Sequence, residues 1–478
     1  MKDKKSQPGY EIGMVGLGVM GRNFLLNMGD HGFSVAGYDK DRDKVEALRG
    51  QAANRDVRGA AEIKEFIALL RRPRAVMLLV PAGPPVDSVI EDLLAHLEPG
   101  DIILDCGNSY FKDTDRRAAA LAPKGIQLLG VGLSGGEEGA RLGPSIMPGG
   151  PAEAYERVRP VFEASAAQVT GEPCVAYLGP GSAGHFVKMV HNGIEYGLMQ
   201  LIAETYDLMK QGMGLSDDEL HEFYANWNEG ELKSYLVEIT GNIFSKGDER
   251  TGKRLIDEIR GDARQLGTGM WTSQSAMELG VPAPTIDAAV AMRNLSLLES
   301  GRAAASAVFP RTAAPYPGDR GALLRQTGRA LLAGMILTYA QGMAVLTAAA
   351  DKYSYGFDLS AVARIWRGGC IIRASVLDGI QEAYRSNPRL QNLLLDPETA
   401  RKVMEHQEDL RRVTGAAIGL GLPVPGFMSA LGYLDGYRSS WLPTNLIQAQ
   451  RDYFGAHTYE RVDVAGAFHT DWDKVPAS

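Results

Sequence analysis

The stretch EIGMVGLGVMG, residues 11–21, decides the fold. A short apolar run leads directly into Gly16-x-Gly18-x-x-Gly21, and a helical pattern follows. In such a turn Gly16 permits the tight bend, Gly18 lets the backbone approach a pyrophosphate, and Gly21 allows helix and strand to pack closely. Val19 and Met20 then fall in the first helical turn, whose free N–H groups face the phosphates. An ordinary glycine-rich turn carries the same letters, so the neighbourhood has to decide. The next apolar run ends at Asp39, eighteen residues after Gly21. That spacing predicts a dinucleotide site in which Gly16, Gly18, Val19, Met20, Gly21, Asp39 and Lys40 face the cofactor. A carboxylate at Asp39 accepts hydrogen bonds from a ribose and repels a 2′-phosphate, although Asp is also a natural turn residue.

Further apolar runs occur at 33–39, 75–80, 101–107 and 126–132, separated by helix-length polar stretches. Valine-, isoleucine- and leucine-rich runs in this rhythm predict parallel strands covered on both faces. From about residue 182 the texture becomes that of long amphipathic helices. The expected architecture is an α/β Rossmann-type domain over 1–181, a large all-α domain over 182–440, and a C-terminal tail over 441–478. Within the helical part, IAETYDLM (202–209) followed by Trp227 is echoed by YAQGMAVL (339–346) followed by Trp366. This reads either as an internal duplication of about 140 residues or as chance likeness between amphipathic helices.

The chain has 478 residues, 45% of them hydrophobic, with 50 basic against 58 acidic side chains and a net charge of −8. That balance argues against broad nucleic-acid or anionic-membrane surfaces, so any anionic ligand needs a local cluster of cations. The apolar runs of the sequence are too short to span a bilayer, and MKDKKSQPGY at the start lacks the apolar core of a secretory leader. Three scattered cysteines fit a reducing, cytoplasmic compartment.

The segment 185–201 carries the chemistry. At 100° per residue, Lys188, His191, Asn192, Glu195 and Tyr196 share an arc of roughly 140°, with an apolar stripe opposite. A partly buried Lys can act as a base and a Glu with a raised pKa as an acid. His185 and His191 point in different directions, so no metal site is expected there. Two loops, 105–109 with Asn108 and 134–140 with Ser134, Gly135 and Gly136, offer hydroxyl and amide groups to an anion.

With these residues assembled, the sequence resembles the decarboxylating 6-phosphogluconate dehydrogenases in their long, homodimeric form. The likeness runs through GLGVMG (16–21), LSGGEEGARLGPSIMPGG (133–150), GHFVKMVHNGIEYGLMQLIAE (184–204), WRGGCIIR (366–373), NLLLD (392–396) and LIQAQRDYFGAHTYER (446–461). The resemblance implies NADP- or NAD-dependent oxidation of 6-phosphogluconate at C3, then loss of CO₂ to give ribulose 5-phosphate, without a metal. It casts Lys188 as the base, Glu195 as the acid, and His191 and Asn192 as positioning groups. Asn108, also near the cofactor, joins Ser134, Gly135 and Gly136 at the sugar-acid end. Tyr196, Thr272 and Arg293 would hold the phosphate, while Arg451 and His457 on the tail would reach the partner subunit's site. A dehydrogenase of another β-hydroxy acid and a non-catalytic cofactor-binding relative are the competing readings.

Departures from the family pattern sharpen the expectations. Asp39-Lys40-Asp41 stands where NADP-using members carry Asn-Arg-Ser/Thr, which favours NAD, or dual use with weakened NADP binding. Leu266 and Met270 replace the lysines of a Lys-Gly-Thr-Gly-Lys-Trp stretch. Loss of the second lysine, expected on the substrate phosphate, would cost roughly 1.5–3 kcal/mol. Cys106 replaces a glycine, a minor packing change.

Overall fold

The computed structural model describes residues 9–310 and 315–473, so the polar start of the chain and the last residues of the expected tail lie outside the described residues. The chain forms two compact units, 1–430 and 431–478.

The first unit opens with β1 (Ile12–Val15), α1 (Val19–Asp30), β2 (Val35–Tyr38), α2 (Arg42–Ala52), β3 (Val57–Ala60), α3 (Ile63–Leu69), β4 (Ala75–Leu78) and α4 (Pro84–Leu94). It continues with β5 (Ile102–Asp105), α5 (Phe111–Leu121), β6 (Gln127–Ser134), α6 (Gly136–Leu142), β7 (Ser145–Gly149) and α7 (Ala152–Ser165). The strands form one sheet in the order β3-β2-β1-β4-β5-β6-β7. All its pairings are parallel except β6 with β7. Alternate strand residues feed two cores: Ile12, Met14, Met77, Ile102 and Leu104 one, Val15, Val76, Leu78 and Ile103 the other. Both faces are therefore apolar, which is why the runs read as continuous rather than alternating. The structure adds two strands that the apolar runs do not reveal, β3 and the antiparallel β7. Both are edge strands with weak patterns: β3 reads VRGA, and β7 contains Pro148, which an edge tolerates.

The helical part comprises α8 (Ala183–Asp207), α9 (Asp217–Asn228), α10 (Tyr235–Ser245), α11 (Thr268–Glu278), α12 (Pro284–Ser296), α13 (Glu299–Val308), α14 (Arg320–Lys352), α15 (Leu359–Ile365), α16 (Val376–Ser386), α17 (Pro397–Gly419) and α18 (Pro425–Tyr437). A long helix, a short helix with a tryptophan at or just past its C-terminal end, and a further helix occur in that order twice, as α8-α9-α10 and α14-α15-α16. The copies meet reciprocally: Tyr235 N–H donates to Arg373 C=O at 3.0 Å, and Ser375 N–H donates to Lys233 C=O at 2.9 Å. Those partners sit about 140 positions apart, the spacing of the sequence echo. Helix α14 is long and apolar enough to cross a membrane by length and composition, yet 89% of its most apolar window is buried inside the protein. It is a core helix packed on α8 and α17.

The second unit holds α19 (Thr444–Gly455) and a two-stranded hairpin, Tyr459–Glu460 with Ala467–Phe468. The fully buried Asp452 organises it, accepting hydrogen bonds from Thr458 N, Thr470 N, His469 Nδ1 and Trp472 Nε1 at 2.9–3.0 Å.

Candidate functional site

The glycine turn after β1 has the shape of a phosphate cradle. Gly16 adopts φ +98°, and a Cβ on Gly21 would overlap the Gly16 carbonyl oxygen. A Cβ on Gly18, in contrast, would meet open space. Gly18 is the N-cap of α1 and supplies no side-chain cap, so the first N–H groups from Val19 onward remain available to an anion. Beside the turn opens a cavity of about 240 Å³ that includes Gly16, Asp39, Lys40 and Val80. The cradle and the adjoining cavity fit a dinucleotide.

Asp39 closes β2 with its carboxylate fixed by the backbone, accepting from Leu17 N and Asp41 N at 2.9 Å each. The three cations that follow Asp39 each have an acidic partner. Lys40 Nζ lies 2.9 Å from Asp92, Arg42 reaches Glu62 at 3.3 Å, and Lys44 sits 3.6 Å from both Asp39 and Asp41.

A second cavity, of about 450 Å³, begins at Met20 on α1 and extends into the helical part. Asn108 borders it after β5, and Ser134, Gly135 and Gly136 border it at the end of β6. The buried Asp105 shapes the first of these loops, accepting from Ser109 Oγ at 2.6 Å and Gly107 N at 3.2 Å. From α8 come Lys188, Asn192, Glu195 and Tyr196, whose spacings of four, three and one place them on one face. Helix α8 gets close enough because glycines stand at the contact points on both sides. A Cβ on Gly132 would overlap Cβ of Lys188, and a Cβ on Gly184 would overlap the carbonyl oxygens of Gly130 and Met147.

Burial sets the protonation of this face. Lys188 is 5% exposed and has no ion pair or side-chain hydrogen bond among the described residues. Desolvation lowers its pKa, against the pull of the nearby Glu195 charge. Desolvation also raises the pKa of Glu195, with Lys188 and Arg293 opposing. His191 is fully buried; desolvation and then the Lys188 charge push its pKa well below the usual value, so the ring is neutral. Its Nδ1 donates to Asn192 Oδ1 at 3.0 Å, which leaves Nε2 to accept from the Ser134 hydroxyl at 3.3 Å. Asn192 Nδ2 in turn donates to Thr268 Oγ1 at 3.1 Å. A polar chain thus runs Ser134–His191–Asn192–Thr268, locking the Asn192 amide at the cavity wall.

At the other end, the Arg293 guanidinium lies 3.4 Å from the Tyr196 ring centroid. This stacking fixes a cation over an aromatic face.

Several expected residues fall elsewhere. Thr272 does not line the cavity: it is fully buried, donates to Met189 C=O at 2.8 Å and Thr268 C=O at 2.9 Å, and packs on Gly193 of α8. The threonine at the cavity is Thr268, one helical turn earlier. Both lie in the same GTGMWT stretch, and spacing alone does not choose between them. His191 sits one layer behind the wall. Met270 does not line the cavity either, whereas Leu266 does, together with Arg264 and Gln265, which the sequence reading passed over. Arg451 and His457 are exposed on the second unit, where Arg451 Nη1 donates to Gln448 Oε1 at 3.0 Å.

A phosphate cradle, a carboxylate at the end of β2, and a buried lysine sharing one cavity with a half-buried glutamate define a dinucleotide-binding protein equipped for acid–base chemistry. Residues 11–179 match the NAD binding domain of 6-phosphogluconate dehydrogenase, and residues 184–472 match the 6-phosphogluconate dehydrogenase C-terminal domain. The chain belongs to the 6-phosphogluconate dehydrogenase family. It is 52% identical to the NADP(+)-dependent, decarboxylating 6-phosphogluconate dehydrogenase of Bacillus subtilis, over 97% of this chain and 99% of that one. It is 48% identical to the decarboxylating enzyme of Escherichia coli, again over 97% and 99%. The solved 6-phosphogluconate dehydrogenase of Plasmodium falciparum, described with NADP+ and with 6-phosphogluconate, superposes with a TM-score of 0.93 at 42% identity, covering 97% of this chain and 100% of that one.

Proposed function

We propose that the protein catalyses the oxidative decarboxylation of 6-phosphogluconate to ribulose 5-phosphate and CO₂, with reduction of NADP+ or NAD+. The observation that carries this reading is the opening of Lys188 and Glu195 into one cavity that begins at the glycine-turn helix. When bound, the nicotinamide supplies the acceptor for the hydrogen and electron pair leaving C3. Lys188, whose pKa burial lowers, takes the proton of the C3 hydroxyl. The same group, now charged, protonates the 3-keto oxygen as the C1 carboxylate leaves as CO₂. Glu195, whose pKa burial raises, delivers a proton to C1 of the resulting enediol. Asn108, Ser134, Gly135, Gly136 and Asn192 orient the sugar acid, and His191 holds Asn192. A β-keto acid with a polarised carbonyl loses CO₂ readily, so positioning and two proton carriers suffice.

The cofactor preference we infer is for NAD+, because Lys40, Arg42 and Lys44 are neutralised by acids and Asp39 faces the ribose end. Residues 1–181 carry the cofactor and the two substrate-facing loops, 182–440 the remaining substrate side chains, and the tail from 441 completes the partner's cavity in a homodimer. Two features support pairing: α13 buries none of its residues, and Leu446, Ile447, Tyr453 and Phe454 of the tail are exposed. The buried free thiols of Cys106, Cys174 and Cys370 support a cytoplasmic setting.

The test is the initial rate of 6-phosphogluconate-dependent reduction of NAD+ and NADP+ in parallel, with released CO₂ counted. Turnover with one CO₂ per reduced cofactor is the expected result. No turnover with either cofactor at saturating substrate would sink the reading.

A further inference from the structure

We propose that Arg264 is a specificity-determining residue that grips the substrate phosphate, supplying the cation that neither Met270 nor the cavity-lining Leu266 offers. The inference rests on the 6-phosphogluconate reading above and identifies what holds the phosphate end. Three cations border the large cavity: Lys188, Arg293 and Arg264. Lys188 is buried beside Glu195 and serves the chemistry, whereas Arg293 is stacked on Tyr196 at the far end. Arg264 is exposed, and among the described residues its guanidinium has no ion pair or hydrogen bond. Its neighbours in the chain behave differently: Arg254 pairs with Asp218, and Arg260 with Asp262 and Glu299.

The backbone around Arg264 is nevertheless held firmly against α12. Ala263 N–H donates to Ser296 Oγ at 2.9 Å, and Gln265 Nε2 donates to Asn294 Oδ1 at 2.8 Å. Between these two clamps, the Arg264 carbonyl accepts from Arg293 Nη1 at 3.5 Å. The loop therefore fixes the origin of an unpaired guanidinium beside a second, pinned one, at the rim of a cavity whose reactive groups lie deeper. A dianionic phosphate ester matches this arrangement, because two guanidinium forks can each offer paired N–H donors to its oxygens. Leu266 lines the same cavity two residues on and offers no charge. A free phosphate group and the phosphate of a sugar acid share this chemistry, and the experiment separates them.

The test is steady-state kinetics of Arg264→Ala with 6-phosphogluconate and with unphosphorylated gluconate. The expected result is a KM for 6-phosphogluconate raised about 10- to 100-fold, kcat moving far less, and the preference over gluconate reduced by the same factor. Introducing Leu266→Lys into that variant should restore much of the affinity. An unchanged KM in Arg264→Ala would overturn the assignment while leaving the proposed reaction standing. If the unaltered protein fails to turn over 6-phosphogluconate, that reaction falls separately. Calorimetric titration with inorganic phosphate then decides: weaker binding by Arg264→Ala supports the site, and equal binding overturns it.

Discussion

Lys188 rests directly on Gly132, so closely that a β-carbon at 132 would overlap Cβ of the lysine. The position of the proposed base is thus set by the absence of a side chain on β6. Gly132→Ala should force α8 and β6 apart by a few tenths of an ångström or more. Overpacking of this kind costs about 1–3 kcal/mol. The larger effect should be on chemistry, since small misplacements of a reacting group can cost about a hundredfold in rate. We expect kcat to fall by about that factor with dinucleotide affinity retained, measured by kinetics and calorimetry side by side. A variant with normal kcat would show that Lys188 is not positioned by this contact.

The lysine–glutamate pair makes a prediction about pH. Lys188 must be neutral to accept the hydroxyl proton, and burial lowers its pKa, so activity should rise with pH below the range of a free lysine. Glu195 must be protonated to donate, and burial raises its pKa, so activity should fall again on the alkaline side. The two groups interact, and the limbs of the kcat/KM profile belong to the pair rather than to either residue. Glu195→Gln should remove the alkaline decline, in whichever order the pair titrates, and slow turnover by about 10²–10⁴. An alkaline limb that survives in Glu195→Gln would exclude this carboxyl as the acid.

Cofactor choice can be tested without touching the cradle. Lys40 Nζ is held 2.9 Å from Asp92, and this hydrogen bond is the main reason its pKa is raised. Asp92→Asn should free the ammonium to meet a 2′-phosphate. An exposed charge pair of this type is worth about 1 kcal/mol or less in stability, so the fold should be indifferent. The kcat/KM for NADP+ should rise several-fold, up to about tenfold, while that for NAD+ changes little. If NADP+ is already strongly preferred by the unaltered protein, the reading of Asp39 and its neighbours is wrong.

What could be read from the letters, and what could not, divides along physical lines. The glycine turn and the face of α8 were legible because each has a fixed period: the turn by its glycine spacing, the helix by 3.6 residues per turn. Edge strands β3 and β7 left no apolar run to find. The threonines illustrate a deeper limit. Thr268 and Thr272 are four apart on α11 and share a face, yet only the packing of Thr272 onto Gly193 shows which one meets the cavity. His191 shares the polar arc with Lys188, but its depth, and hence its neutral state, comes from Trp366 and the surrounding helices. Arg264 lies in an irregular loop with no periodicity at all, and its place depends on side-chain clamps from a different helix.

The tail offers the sharpest separation of binding from turnover. Asp452 sits between Arg451 and the loop that carries His457, and its four donors tie α19 to the hairpin beyond it. Burial pushes its pKa up, but the hydrogen bonds from His469, Thr470 and Trp472 outweigh this and hold it at about 2, below the ordinary 3.8. A carboxyl with a depressed folded pKa stabilises above its unfolded value and loses that contribution as it is protonated. The knot should therefore be intact above pH 4 and open as pH falls toward 2, a change that Trp472, which donates to Asp452, should report in its fluorescence. At neutral pH, Asp452→Ala should disorganise Arg451 and His457 together. If these residues complete the partner's cavity, turnover should be lost while NAD+ and NADP+ binding survives, as it should on deletion from Trp441 onward. Normal turnover by the truncated protein would place the whole reaction within one subunit's first 440 residues.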